Sequence, residues 1–187
     1  MRVSREQVAE NRQTILEAAS GLFRERGFEA VSVADVMEAA GLTHGGFYGY
    51  FKSKDDLITC ALAHTFESDN ESVPNLLKYA EEYLSPEHRD DLSGGCLTAG
   101  LGAETIRQSV AARAVMTEVQ RSTIDRFSKG TGATTPREAR RMAIGTWAAM
   151  IGAMVLARLS SDPELSDEIL SETYQWIKWT SIKKPTE

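Results

Sequence analysis

Apolar residues recur along this chain at helical spacing. Ile15, Ala18, Ala19, Leu22 and Phe23 form one stripe of a first helix, with Arg12, Glu17, Arg24 and Glu25 off it. Gly27 supplies the stop, since it tolerates the left-handed conformation that ends many helices, and Phe28 follows as an apolar plug. Ser32-Val33-Ala34-Asp35 is a capping box that opens a second helix with Val36, Met37 and Ala40 on its inner face, closed at Gly41. Thr43 is placed to cap a third, short helix holding His44, Gly45, Gly46, Phe47, Tyr48, Gly49 and Tyr50. Ser53-Lys54-Asp55-Asp56 reads as a second capping box, from which Leu57, Ile58, Ala61, Leu62 and Phe66 carry a fourth apolar face.

The remainder reads as helices over 76–84, 86–92, 96–107, 109–127, 136–159 and 163–180, broken at Ser85-Pro86, Ser93-Gly94-Gly95 and Lys129-Gly130-Thr131-Gly132. No alternating strand pattern competes. The expectation is an all-α chain of about nine helices, split into a three-helix head over 1–55 and a helical body over 56–187. A hydrophobic fraction of 42% against 26% charged residues suits a globular protein rather than a disordered one.

Charge changes this picture little. The net charge is −6, but residues 1–54 carry seven basic and seven acidic side chains, so the acidity lies in the body. A neutral head on an acidic body is compatible with nucleic acid without arguing for it. Cys60 and Cys96 have no metal-ligand spacing and point to a reducing compartment. Cys96 beside Gly94-Gly95 is either an inert thiol or a redox or electrophile sensor. The polar start at Arg2, Arg5 and Glu6 resembles no signal peptide. The longest uncharged run, Met142 to Ala157, is 16 residues, short of the roughly 20 that a membrane span needs. It reads as a core or interface helix, with no membrane partner and a cytoplasmic location.

Candidate chemistry concentrates after Val33. Two short helices around a tight glycine turn form a helix-turn-helix. Three glycines in the second of them lower its helix propensity, by about 1 kcal/mol each relative to Ala. Either they let helices pack tightly, or they let the backbone approach an external surface such as a phosphate chain. The three histidines, His44, His64 and His88, have no metal spacing, and no phosphate loop or nucleophile elbow is present, so neither an enzyme nor a cofactor is expected.

The Ile15–Phe23 stripe, Gly27, the Ser32 cap, Ala40-Gly41-Leu42 and the tract Phe47-Tyr48 with Tyr50-Phe51-Lys52-Ser53-Lys54 and Leu57 resemble the TetR family of regulators over residues 12–60. The resemblance implies a ligand-responsive DNA-binding repressor, released from a palindromic operator by a small molecule. It places Tyr48, Tyr50 and Lys54 on phosphates and Thr43, His44 and Gly45 at base edges. Apolar Val33 and Ala34, and Gly49 in place of a bulkier residue, depart from the family pattern and shift specificity toward Thr43 and His44 or toward DNA shape. Phe47 and Phe51 are expected in the core.

The resemblance also implies a helical C-terminal domain that binds the effector and dimerises through its last two helices. Gly145, Ala149, Gly152 and Ala153 are small residues suited to a close helix crossing, and Tyr174 and Ile177 are the matching positions on the last helix. Phe66, Leu97, Leu101, Met116 and Trp147 are candidates to line an effector pocket, each of them equally a plain core residue. The alternative is a helical protein-interaction module that has lost DNA binding.

Overall fold

The computed structural model describes residues 4–68 and 75–182, so the polar start at Arg2 lies outside it. The described residues are helical with no strand. In chain order they form α1 (Arg5–Ala30), α2 (Val33–Ala39), a 3-10 segment (His44–Gly49), α3 (Lys54–Ser68), α4 (Leu76–Tyr83), α5 (Pro86–Asp90), α6 (Leu97–Thr105), α7 (Val110–Lys129), α8 (Pro136–Leu159) and α9 (Pro163–Ile182). They group into two compact units. The first takes residues 1–70 and 92–117; the second takes 71–91 and 118–187. The first unit is thus larger than the head expected over 1–55, because α3, α6 and the start of α7 belong to it.

In the first unit, Ser4 caps α1 by accepting from the Gln7 amide at 3.1 Å. Ile15, Ala19 and Phe23 of the stripe are buried, with Leu16 beside them. Gly27 breaks the helix at φ 81°, and Phe28 turns back so that its ring meets Phe23 edge-on at 5.3 Å. The break leaves the Phe28 amide without a helical acceptor. Glu104 of α6 supplies one, its carboxylate accepting at 2.7 Å. A Cβ at position 27 would run into that same carboxylate. One glycine therefore lets α6 dock on α1, a contact 76 residues away in sequence.

The Ser32 capping box is complete: Ser32 Oγ accepts from the Asp35 amide at 3.1 Å and Asp35 accepts from the Ser32 amide at 2.7 Å. α2 ends in a Schellman motif, with Gly41 at φ 68° and amides of Gly41 and Leu42 donating to Glu38 and Met37 carbonyls. At Ser53 the expected box is modified. Ser53 Oγ accepts from the Asp56 amide, but the Asp56 carboxylate reaches Lys52 rather than Ser53, at 2.9 Å. α3 packs on α1 through buried Leu57, Ile58, Ala61 and Leu62, and Ser20 donates to the Ala61 carbonyl at 3.3 Å.

The second unit is organised around the α8–α9 pair. Thr135 caps α8 and Pro136 starts it. Its core holds Met150, Met154, Ala157, Leu170 and Ile177. Ile177, expected to face a second copy, is buried within the chain, whereas Ala153, although little exposed, lines the open groove between α8 and α9. Arg89 of α5 donates to Ser166 and Asp167 of α9 at 2.9 and 2.6 Å. Arg158 of α8 answers by donating to the carbonyls of His88, Arg89 and Asp91. These bonds satisfy the end of a five-residue helix too short to be stable by itself. Among the described residues α8 alone is long and apolar enough to cross a membrane, and a third of its apolar window is buried in the chain.

Candidate nucleic-acid interface

The 3-10 segment is held from beneath and bare on top. Phe47 and Phe51 are buried and stacked at 5.7 Å, with the Arg12 guanidinium over the Phe51 ring. Between them in sequence, Tyr48 is 76% exposed, its ring T-shaped to that of Phe47 at 5.2 Å. The three-residue turn of a 3-10 helix separates these neighbours onto different faces. Thr43, His44 and Gly45 are exposed at the start of the segment. Thr43 makes no side-chain cap bond, contrary to the expectation from its position, so its hydroxyl is left for other partners.

Tyr50 and Lys54 are partly covered. Asn11 of α1 donates to the Tyr50 phenol oxygen at 2.9 Å, which orients the ring and leaves the phenol proton for an outside acceptor. Lys54 is the first residue of α3, beside the free amides of a helix N-terminus. From Ala39 to Lys54 the chain has two lysines and no acidic residue, with Glu38, Asp55 and Asp56 bordering the stretch. The structure thus brings Thr43, His44, Gly45 and Tyr48 together on open surface, with Tyr50 and Lys54 at its edge. Sequence reasoning missed Asn11, whose role depends on a contact 39 residues away.

Two titrating groups flank the motif. The hydroxyl and amide of Ser32 hold the Asp35 carboxyl below its usual range. Burial, reinforced by the Asp56 charge, pushes the Cys60 thiol up although Arg12 donates to its sulfur at 3.3 Å. Cys60 is therefore a poor nucleophile at neutral pH. Cys96 is half-buried at the N-cap position of α6.

In the second unit, α8 and α9 enclose an open groove of about 660 Å³, lined by Ala149, Gly152, Ala153, Leu156, Leu165, Ile169 and Trp176 with Glu168 and Glu172 at its side. None of the five candidate effector residues lines it. Leu97, Leu101 and Met116 are core residues of the first unit and Phe66 is half-buried there; Trp147 is half-buried in the second. A Cβ added at Gly145 or Gly152 would meet nothing within 4 Å, and Tyr174 is half-buried.

Residues 15–59 match the family described as bacterial regulatory proteins, tetR family. The chain is 38% identical over 58 residues to the HTH-type transcriptional regulator AcrR of Shigella flexneri, covering 31% of this chain and 27% of that protein. It is 33% identical over 97 residues to the probable regulator ArpR of Pseudomonas putida, covering 52% and 42%. The matches thus span between about a quarter and two-fifths of those relatives' length. Likeness of fold reaches further: the crystal structure of reduced Escherichia coli NemR superposes with a TM-score of 0.76 over 95% of this chain and all of that one, at 22% identity. A regulator from Cytophaga hutchinsonii superposes at 0.74 over 98% of this chain, at 20% identity. Residues 15–59 thus match the tetR family in sequence, and the described helices share the fold of the two superposed regulators.

Proposed function

We propose that this protein is a homodimeric repressor of transcription that leaves its operator when a small molecule binds. The observation that carries the DNA-binding part is the exposure of Tyr48, with Thr43, His44 and Gly45, on a tip whose other aromatics are buried or partly covered. A solvent-facing phenol on a rigid support costs little entropy to place on a phosphate. Thr43 and His44 read base edges in the major groove; Tyr48, Tyr50 and Lys54 bind the sugar–phosphate chain. The relatives NemR and KstR2 are named as repressors, which favours repression over activation.

The second copy is placed on α8 and α9. Leu156, Leu159, Leu165, Trp176 and Trp179 are each about half exposed or more on these helices, beside the groove and the open glycines. Large apolar side chains exposed together on one helix pair suit burial against a partner. A two-fold partner covers it and presents two recognition segments to half-sites about one DNA turn apart. The effector is a small molecule, and it acts by favouring a dimer with the wrong spacing. Nothing in this reading calls for catalysis, a cofactor or a membrane, and its place is the cytoplasm.

The test is selection of duplexes from a random DNA pool by the full chain. A palindromic site should emerge, and Tyr48→Ala should bind it about tenfold more weakly with unchanged thermal stability. Failure to enrich any duplex would sink the DNA-binding reading.

A further inference from the structure

The bond from Asn11 to Tyr50 is the last link of a longer chain on α1, and the direction of that chain is set at its far end. Gln7, Glu10 and Asn11 share one side of the helix, at i, i+3 and i+4. The Gln7 amide nitrogen donates to the Glu10 carboxylate and to the Asn11 carbonyl oxygen, each at 3.1 Å. The Asn11 amide nitrogen then donates to the Tyr50 phenol oxygen at 2.9 Å. An ionised carboxylate only accepts, so Glu10 turns the nitrogen of Gln7 toward itself. The second proton of that nitrogen faces Asn11 and calls for its oxygen there, which leaves the Asn11 nitrogen for Tyr50. Reversing either amide sets two acceptors or two donors against each other. The phenol proton meets no acceptor among the described residues. The ring itself lies against Gly46, where a Cβ would fall 4.0 Å from Tyr50 Cε2.

We infer that Glu10, Gln7 and Asn11 form a positioning chain that commits the Tyr50 phenol to donating, and so to a partner that only accepts. The inference deepens the DNA-binding reading and rests on it. None of the three α1 residues is itself a contact; each acts through the next. A phenol free to rotate accepts from a base amino group as readily as it donates to a phosphate oxygen. With its oxygen taken by Asn11 and its proton turned outward, Tyr50 selects the phosphate, and a bond to a charged oxygen is the stronger kind.

The experiment measures binding of the full chain to a duplex that the wild type enriches from a random pool. Tyr50→Phe removes the donor and should bind about tenfold more weakly. Asn11→Ala lets the phenol rotate and should lose about threefold, and Gln7→Ala about twofold. Asn11→Asp reverses the last link, because the carboxylate takes the phenol proton, and should lose about thirtyfold. A new negative charge also repels DNA directly, so the Asn11 and Gln7 variants are repeated in the Tyr50→Phe background. There Asn11→Ala and Gln7→Ala should change affinity less than about twofold, and Asn11→Asp should keep only a charge effect of about threefold. Melting temperatures should stay within about 2 °C of the parent; if Asn11→Asp unfolds the chain, the two alanine variants carry the comparison. Losses that are equal in both backgrounds would overturn the inference while leaving the DNA-binding reading intact, as would wild-type affinity in Tyr50→Phe. If the wild type enriches no duplex, the underlying reading fails, and this inference with it.

Discussion

The recognition segment and the α8–α9 pair both leave aromatic side chains in solvent, and they do so in opposite ways. At the tip a single phenol, Tyr48, stands on a buried Phe47–Phe51 stack, with hydroxyls and lysines around it and polar pins on every side: the Ser32 box, the Asn11–Tyr50 bond and the Ser53 cap. On α8 and α9 two tryptophans and several leucines spread over one apolar face, with carboxylates only at the margin. The first surface carries hydrogen-bond donors, whose chemistry suits an anionic partner, and the second carries apolar atoms, which gain by leaving water. Open glycines occur on both, Gly45 and Gly49 at the tip and Gly145 and Gly152 on α8. A helix tolerates such glycines where something outside the chain comes close.

The comparison breaks most visibly at adjacent residues. Phe47→Ala should cost about 3–5 kcal/mol in chemical denaturation, because it empties the stack under the tip. An effect as small as that of a surface substitution would mean the support is not where the rigidity lies. If α8 and α9 carry the proposed dimer, Ala149→Glu should yield monomers by analytical ultracentrifugation, since an unpaired carboxylate buried against a partner costs about 3–5 kcal/mol; the helix content should stay. An unchanged dimer would move the interface away from this groove. Gly27→Ala, which strains φ and strikes the Glu104 carboxylate, should lower stability by about 2–3 kcal/mol in thermal melts and loosen α6 from α1 in hydrogen exchange.

Lys54→Ala should leave the fold alone and reduce the slope of log affinity against log salt by about one, with similar losses on all duplexes. The smallest effect concerns pH. The Asp35 carboxyl is held below its ordinary value in the folded chain, so its contribution is present above the unfolded pKa and lost as the pH falls through the folded one. Amide protection at the start of α2, taken relative to the intrinsic exchange rate at each pH, should therefore fall only below the ordinary carboxylate range, and Asp35→Asn should abolish that loss.

Local signals made α1, α2 and α8 legible. Gly27, Gly41, Ser32 and Pro136 sit where the structure places breaks and starts, because caps and stops act within three or four residues. The tip was legible by the same means, as a short glycine-containing helix between two capped ones. The Thr43 cap was not, since a suitable residue in position need not make the bond. Ile177 shows the limit on the other side: periodicity reveals that a helix has an apolar face, but not which of two apolar stripes its own chain covers.

Helix starts and stops and the all-α class follow from the order of the residues alone, because propensity and capping are local. The grouping of α6 with α1 through Glu104, the anchoring of Tyr50 by Asn11 and the inward turn of Ile177 were decided only by tertiary structure. Each depends on a partner many residues away, and the free energy of such a contact resides in the pair, which neither residue displays by itself.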